Sequence, residues 1–256
     1  MSIRTTAVKQ PDGGYIVNGT KKWITNGNFA DYFTTFVKTD EGFAVLCIPR
    51  GEGVETRQLK TAYSSNAGTA FVTFDNVYVP PKNLIGQDGM GIMVVLSNFN
   101  HERWVMCCGT IRGARLALEE ALLWTNQRKA FGRPLTSQAV IRQKLGKLMA
   151  DVESAQAWLE ALTFQMNQLS YKEQSKYLAG HIALLKAWAT RVSTEVAETV
   201  VNLFGGRGLT KTGMGRGAVA FYHGVKFDAI LGGTEEILTD LGVRQSLRFM
   251  PKHYKL

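Results

Sequence analysis

The sequence predicts an α+β protein: an antiparallel β-barrel or sandwich over residues 1–85, incomplete at its N-terminus, followed by a four-helix bundle over residues 86–256. Three observations carry this expectation. Up to Ile85, apolar residues alternate or fall in short runs rich in Phe, Val, Tyr and Thr, as strands require. Beyond Gly89 the apolar step changes to three or four and stays there. Between the two, Pro80-Pro81 ends the strand pattern, because each proline lacks a ladder donor and restricts the residue before it.

In chain order, residues 14–25 predict a hairpin turning at Asn18-Gly19, a pair suited to the positive φ of a tight turn. Strands are expected at 31–39, 42–48 and 69–79, separated by turns at Asp40-Glu41-Gly42, Pro49-Arg50-Gly51 and Asn66-Ala67-Gly68. A long helix follows, marked by Met93, Leu96, Phe99, Met106, Ile111, Ala114, Leu118, Ala121 and Leu122. Its exit is Arg128-Lys129-Ala130-Phe131-Gly132-Arg133-Pro134-Leu135, where Gly132 and Pro134 stop the helix. A second helix steps from Ile141 to Leu169, a third from Leu178 to Leu203, and a last one covers 234–249.

With 256 residues, 45% of them hydrophobic, the chain can bury a sizeable core. No apolar run is long enough to span a bilayer. Three cysteines, two of them adjacent (Cys107 and Cys108), argue against a disulfide framework and for a reducing, intracellular setting, cytoplasmic or mitochondrial, or for inert buried thiols. The four histidines are scattered, so no metal site is expected. A net charge of +9 invites a polyanion. The basic residues are dispersed, with no basic tract or aromatic-interleaved signature of nucleic-acid binding. A phosphorylated cofactor or coenzyme suits such charge better, beside the alternative of a merely basic surface.

Candidate functional residues fall at helix ends and on one helix face. Phe204-Gly205-Gly206-Arg207-Gly208 either ends the third helix or lets a phosphate approach the backbone. Gly232-Gly233-Thr234-Glu235-Glu236 opens the last helix, with Thr234 as N-cap and two acidic residues complementing the helix dipole. Glu102 is a carboxylate on a helix face shared with Val95, Asn98, Phe99, Val105 and Met106.

Together these residues resemble the acyl-CoA dehydrogenase family of flavoenzymes, over essentially the whole chain. Lys22-Trp23-Ile24-Thr25-Asn26-Gly27 is similar to the family's flavin-facing strand. The resemblance implies that Trp23 lies against the isoalloxazine and that Thr25 hydrogen-bonds near its reactive edge. The exit at 128–135 resembles the loop that reaches the flavin dinucleotide of a neighbouring subunit, with Arg128 at the pyrophosphate and Phe131 packed beside it. The segment 202–208 resembles a turn at the adenine end, formed by Asn202, Gly205 and Gly206, with Asn202 standing where glutamine is usual. In the Gly-Thr segment, Thr234 and Glu236 are the implied cofactor contacts.

The implied chemistry is FAD-dependent removal of an α-proton and a β-hydride from an acyl-CoA thioester, giving the enoyl-CoA. Electrons would pass to a separate acceptor such as an electron-transferring flavoprotein. The catalytic base must be a carboxylate in a dry site. In most members it immediately precedes the Gly-Thr pair, where this chain has Gly232. The branch typified by isovaleryl-CoA dehydrogenase places a Glu-Arg pair on the long helix instead, and Glu102-Arg103 matches it. That assigns catalysis to Glu102, against the alternative of an ordinary helical ion pair. Arg103 is placed near the CoA moiety or in a structural pairing. A shared flavin site implies a homodimer or homotetramer. The family's N-terminal helical domain has no counterpart here, so the chain is expected to be a fragment or to be completed by another chain. Two other functions are compatible: a flavin oxidase of an acyl-CoA or nitroalkane, and a non-catalytic remnant or assembly subunit.

Overall fold

A computed structural model describes residues 3–251. The chain divides into two compact units, Met1–Asn98 and Phe99–Leu256.

The first unit is one seven-stranded sheet. Its strands are β1 (Thr6–Lys9), β2 (Tyr15–Ile24), β3 (Tyr32–Thr39), β4 (Gly42–Pro49), β5 (Val54–Gln58), β6 (Ala70–Val79) and β7 (Leu84–Ile85). The spatial order is β5-β6-β2-β1-β3-β4-β7, with β1 and β3 parallel and every other pair antiparallel. Alternation sets the core: in β3, Phe33, Thr35, Val37 and Thr39 are buried while Tyr32, Thr34 and Lys38 face out. Strands β4 and β6 touch although β2, β1 and β3 lie between them in the sheet, so the sheet curls into a partly open barrel. Val17, Val37, Leu46 and Ile48 are fully buried in its single core. Each contributes on the order of 2 kcal/mol by leaving water.

The expected Asn18-Gly19 hairpin is not formed. Strand β2 runs straight through, and the pair makes a bulge where its register against β6 shifts between Val17 and Gly19. Gly19 has φ +134, and a Cβ there would stand 2.7 Å from the Cα of Thr5. Asn18 serves the neighbouring strand instead: its Oδ1 accepts from the backbone N–H of Asn76 at 2.8 Å. The same two residues that favour a tight turn also suit a bulge, because both need a residue free to adopt positive φ.

The second unit is helical. It contains most of α1 (Gly91–Gln127), then α2 (Ala139–Gln168), α3 (Tyr171–Tyr177), α4 (Ala179–Phe204), α5 (Arg216–Ile230) and α6 (Glu235–Phe249). Every residue of the predicted third-helix stripe, Leu178 to Leu203, is buried. Helix α4 is covered on nearly all sides. Its Val192, Val196 and Val200 meet α1, α2 and α5, and its Ala183 and Ala187 meet Leu238 of α6. The bundle thus includes α5, which the apolar step left unmarked: Gly217 and Gly224 interrupt its pattern, and only Ala218, Val219 and Val225 are buried. Among the described residues, no helix is long and apolar enough to cross a membrane.

Candidate functional site

In the first unit, the segment Trp23–Thr25 leaves the regular ladder. The register of β2 shifts again between Lys21 and Ile24, and Trp23 takes φ +67, a conformation that costs a non-glycine residue about 1 kcal/mol or more. The result is a tryptophan 62% exposed, its ring capped by the Lys22 ammonium at 4.6 Å. Thr25 is exposed beside it. The loop that follows is fixed by a residue that no sequence motif marks. Arg50 donates from Nε to the Ala30 carbonyl at 2.7 Å, from Nη2 to the Gly27 carbonyl at 2.7 Å and from Nη1 to Thr56 Oγ1 at 3.1 Å. Its guanidinium also lies over the Phe33 ring, 5.2 Å from the centroid.

In the second unit, α1 ends in a miniature hairpin of β8 (Lys129–Ala130) and β9 (Arg133–Pro134). The two residues between them, Phe131 and Gly132, both have positive φ (+54 and +75), the requirement of a type I′ turn. Phe131 stands at the tip, 97% exposed, with Arg128 exposed at the base.

The glycine turn after α4 lies against the end of α1. Trp124 Nε1 donates to the Leu203 carbonyl at 2.9 Å, and the indole stacks on Phe204 at 5.4 Å between centroids. Arg207 covers the indole at 4.9 Å. Asn202, Gly205 and Gly206 are exposed, and a Cβ added at either glycine would meet nothing within 4 Å. The backbone there is open to a close-approaching group, so the turn fits the phosphorylated cofactor that its sequence suggests. Trp124 is the brace that joins this turn to the Arg128–Phe131 loop. The aromatic pair Trp124 and Phe204 is visible in the sequence, but nothing there places the two rings together.

The third cluster brings Arg103 and Met106 of α1, the neighbours of Glu102 on that helix, to Gly232. Arg103 Nε donates to the Gly232 carbonyl at 2.9 Å, and the guanidinium lies 5.4 Å from the Phe99 ring centroid. Burial lowers the Arg103 pKa, and the neighbouring charge of Glu102 opposes that. Glu102 is half-buried on a face that is apolar in composition but open, with Val105 49% exposed. Gly232 has φ +66, and a Cβ there would stand 2.9 Å from Met106 Sδ. An acidic side chain at that position would be strained by the backbone and would need the flexible end of Met106 to move. Thr234 sits at the N-cap of α6 without a side-chain cap bond. Its hydroxyl instead meets Glu236, whose pKa is lowered first by its own backbone N–H and then by Thr234. Glu235 pairs with Arg191 at 3.1 Å. Beneath the turn lies Lys186, 1% exposed, a residue that the apolar stripe of α4 concealed.

The family described as "Acyl-CoA dehydrogenase, C-terminal domain" matches residues 89–247, and "Acyl-CoA dehydrogenase, middle domain" matches residues 1–77. The chain is 41% identical to "Acyl-CoA dehydrogenase apdG" of Emericella nidulans, over 99% of this chain and 59% of that one. It is 30% identical to a mitochondrial isovaleryl-CoA dehydrogenase of Oryza sativa subsp. japonica, over 77% of this chain and 48% of that one. Among solved structures, an acyl-CoA dehydrogenase complexed with FAD from Bacillus anthracis superposes with a TM-score of 0.85 at 26% identity, over 96% of this chain and 45% of that one. The chain thus spans less than two thirds of the length of each of these relatives. Two successive domain matches, on the barrel and on the helices that the fold provides, make this chain a member of the acyl-CoA dehydrogenase family.

Proposed function

We propose that the chain carries out α,β-dehydrogenation of an acyl-CoA thioester to the enoyl-CoA, with Glu102 as the general base. The observation that supports this reading is the link between the Glu102-Arg103 pair and the glycine-occupied position 232: Arg103, which feels the charge of Glu102, donates to the Gly232 carbonyl. FAD, when bound, supplies the two-electron acceptor. Trp23 and Thr25 would hold its ring, and Arg128 and Phe131 would hold the dinucleotide of a neighbouring subunit in a homodimer or homotetramer. Asn202, Gly205 and Gly206 would hold its adenine end, and Thr234 and Glu236 would contact it from the start of α6.

Glu102 takes the α-proton onto its carboxylate, and bound FAD would be the acceptor for the β-hydride, so that both hydrogens lost in forming the enoyl-CoA have a destination. The apolar side chains of Phe99 and Met106 keep that carboxylate from being fully hydrated once substrate covers the open face. Arg103, anchored through Nε, holds the turn at 232 and presents its remaining charge towards the CoA moiety. Electrons then leave to a separate acceptor such as an electron-transferring flavoprotein.

Anaerobic mixing with a panel of acyl-CoAs tests the assignment. Glu102→Gln removes the base and keeps the shape, so flavin bleaching should slow about a thousandfold with FAD still bound. Bleaching at the wild-type rate in the variant would sink the assignment. Steady peroxide formation with oxygen as sole acceptor would select the oxidase reading instead.

A further inference from the structure

The turn between α5 and α6 is held from beneath by two cations. Lys186 Nζ donates to the Ala229 carbonyl at 3.0 Å and to the Gly233 carbonyl at 2.8 Å, while Arg103 takes the Gly232 carbonyl between them. Gly232 and Gly233 have φ of +66 and +120, and glycines have the most backbone freedom to lose. Burying an ammonium is costly, and an apolar side chain would fill the same slot on α4 more cheaply. A charge in that slot is explained by what it grips. We propose that Lys186 is a positioning residue: its ammonium fixes the Gly232–Gly233 backbone and thereby the placement of Thr234 and Glu236 at the cofactor. The role rests on the reading of those two residues as cofactor contacts.

The ionisable groups acting on Lys186 are Cys107 and Arg103 of α1 and Asp228 of α5. Burial is the largest influence and brings its pKa down to about 8, with Cys107 and Asp228 opposing and Arg103 assisting. Cys107 is itself pushed up to about 12 by burial and stays a neutral thiol. Asp228 is raised by burial, against the Thr110 hydroxyl beside it. Above pH 8 the clamp becomes a neutral amine and its two bonds weaken. Global stability moves the other way. A lysine whose pKa falls on folding lowers stability below pH 8, and that penalty fades as pH rises through 8 towards the value of free lysine. A merely structural lysine predicts the global trend; only the clamp adds a local loosening of opposite sign.

Amide hydrogen exchange over residues 231–236 of the full chain reads the clamp directly. In Lys186→Met, exchange there should speed about tenfold while β6 is unaffected, and the dissociation constant for FAD should rise by a similar factor. If the variant does not fold, the wild type decides: after correction for intrinsic rates, protection of 231–236 should fall between pH 7 and 9.5. Unchanged protection in the variant, or a flat pH profile, overturns the clamp. A loosened turn with unaltered FAD affinity overturns its link to the cofactor. A wild-type protein that takes up no FAD overturns the reading of the site, and the exchange data still decide whether Lys186 grips the turn.

Discussion

Arg50 in the β-unit and Lys186 in the helical unit each gather carbonyl oxygens of a loop that carries candidate flavin contacts, yet they do so by different means. Arg50 presents a planar fork that reaches two carbonyls and a hydroxyl in fixed directions and stacks on Phe33. Lys186 is a compact charge that holds two carbonyls by strength more than by shape, and its pKa is already down to about 8. The loop after Trp23–Thr25 is therefore set by the shape of that fork. The Gly232–Thr234 turn is set by a charge that the medium can remove.

The sharpest way to break this contrast is Arg50→Met. It strips three hydrogen bonds from a half-buried site and should destabilise the β-unit by about 3 kcal/mol, read as a lower midpoint of thermal unfolding. A loss as small as that of an exposed ion pair would mean that the fork is dispensable. Arg50→Lys keeps the charge and discards the fork, so it should cost about 1.5 kcal/mol at pH 7. Full restoration by lysine would erase the distinction between shape and charge. The smallest effect belongs to a third loop. At the 202–206 turn a neutral donor, Trp124 Nε1, takes the place of a cation. Trp124→Phe keeps the stack on Phe204, loses one hydrogen bond to Leu203, and should cost about 1 kcal/mol with no pH dependence between 7 and 9.5.

The stripes on α2 and α4 were legible because burial on one face imposes a spacing that survives any local detail: Leu145, Leu148, Val152 and Leu159 are all buried as expected. Helix α5 escaped because Gly217 and Gly224 and a short buried face leave too weak a period. The Asn18-Gly19 pair signals positive φ but not which structure uses it, and the partner strand that turns it into a bulge lies almost 60 residues away, at Asn76. The motif residues at 23–25, 128–131 and 202–206 were visible as strings. Their supports were not, since Arg50 meets Gly27 and Ala30 only through the fold. Lys186 did leave a signal: a charge inside an apolar run, flanked by Leu185 and Ala187, on a helix covered on nearly all sides. Such a residue is either an error of register or a buried cation with something to hold.

Gly232 has a consequence for how the protein can change. An acid at that position would have to accept φ +66, as Trp23 accepts +67, displace the end of the flexible Met106 side chain, and leave intact the carbonyl that Arg103 grips. A substitution at 232 is therefore felt on α1, through Met106 and Arg103, as well as in the turn itself.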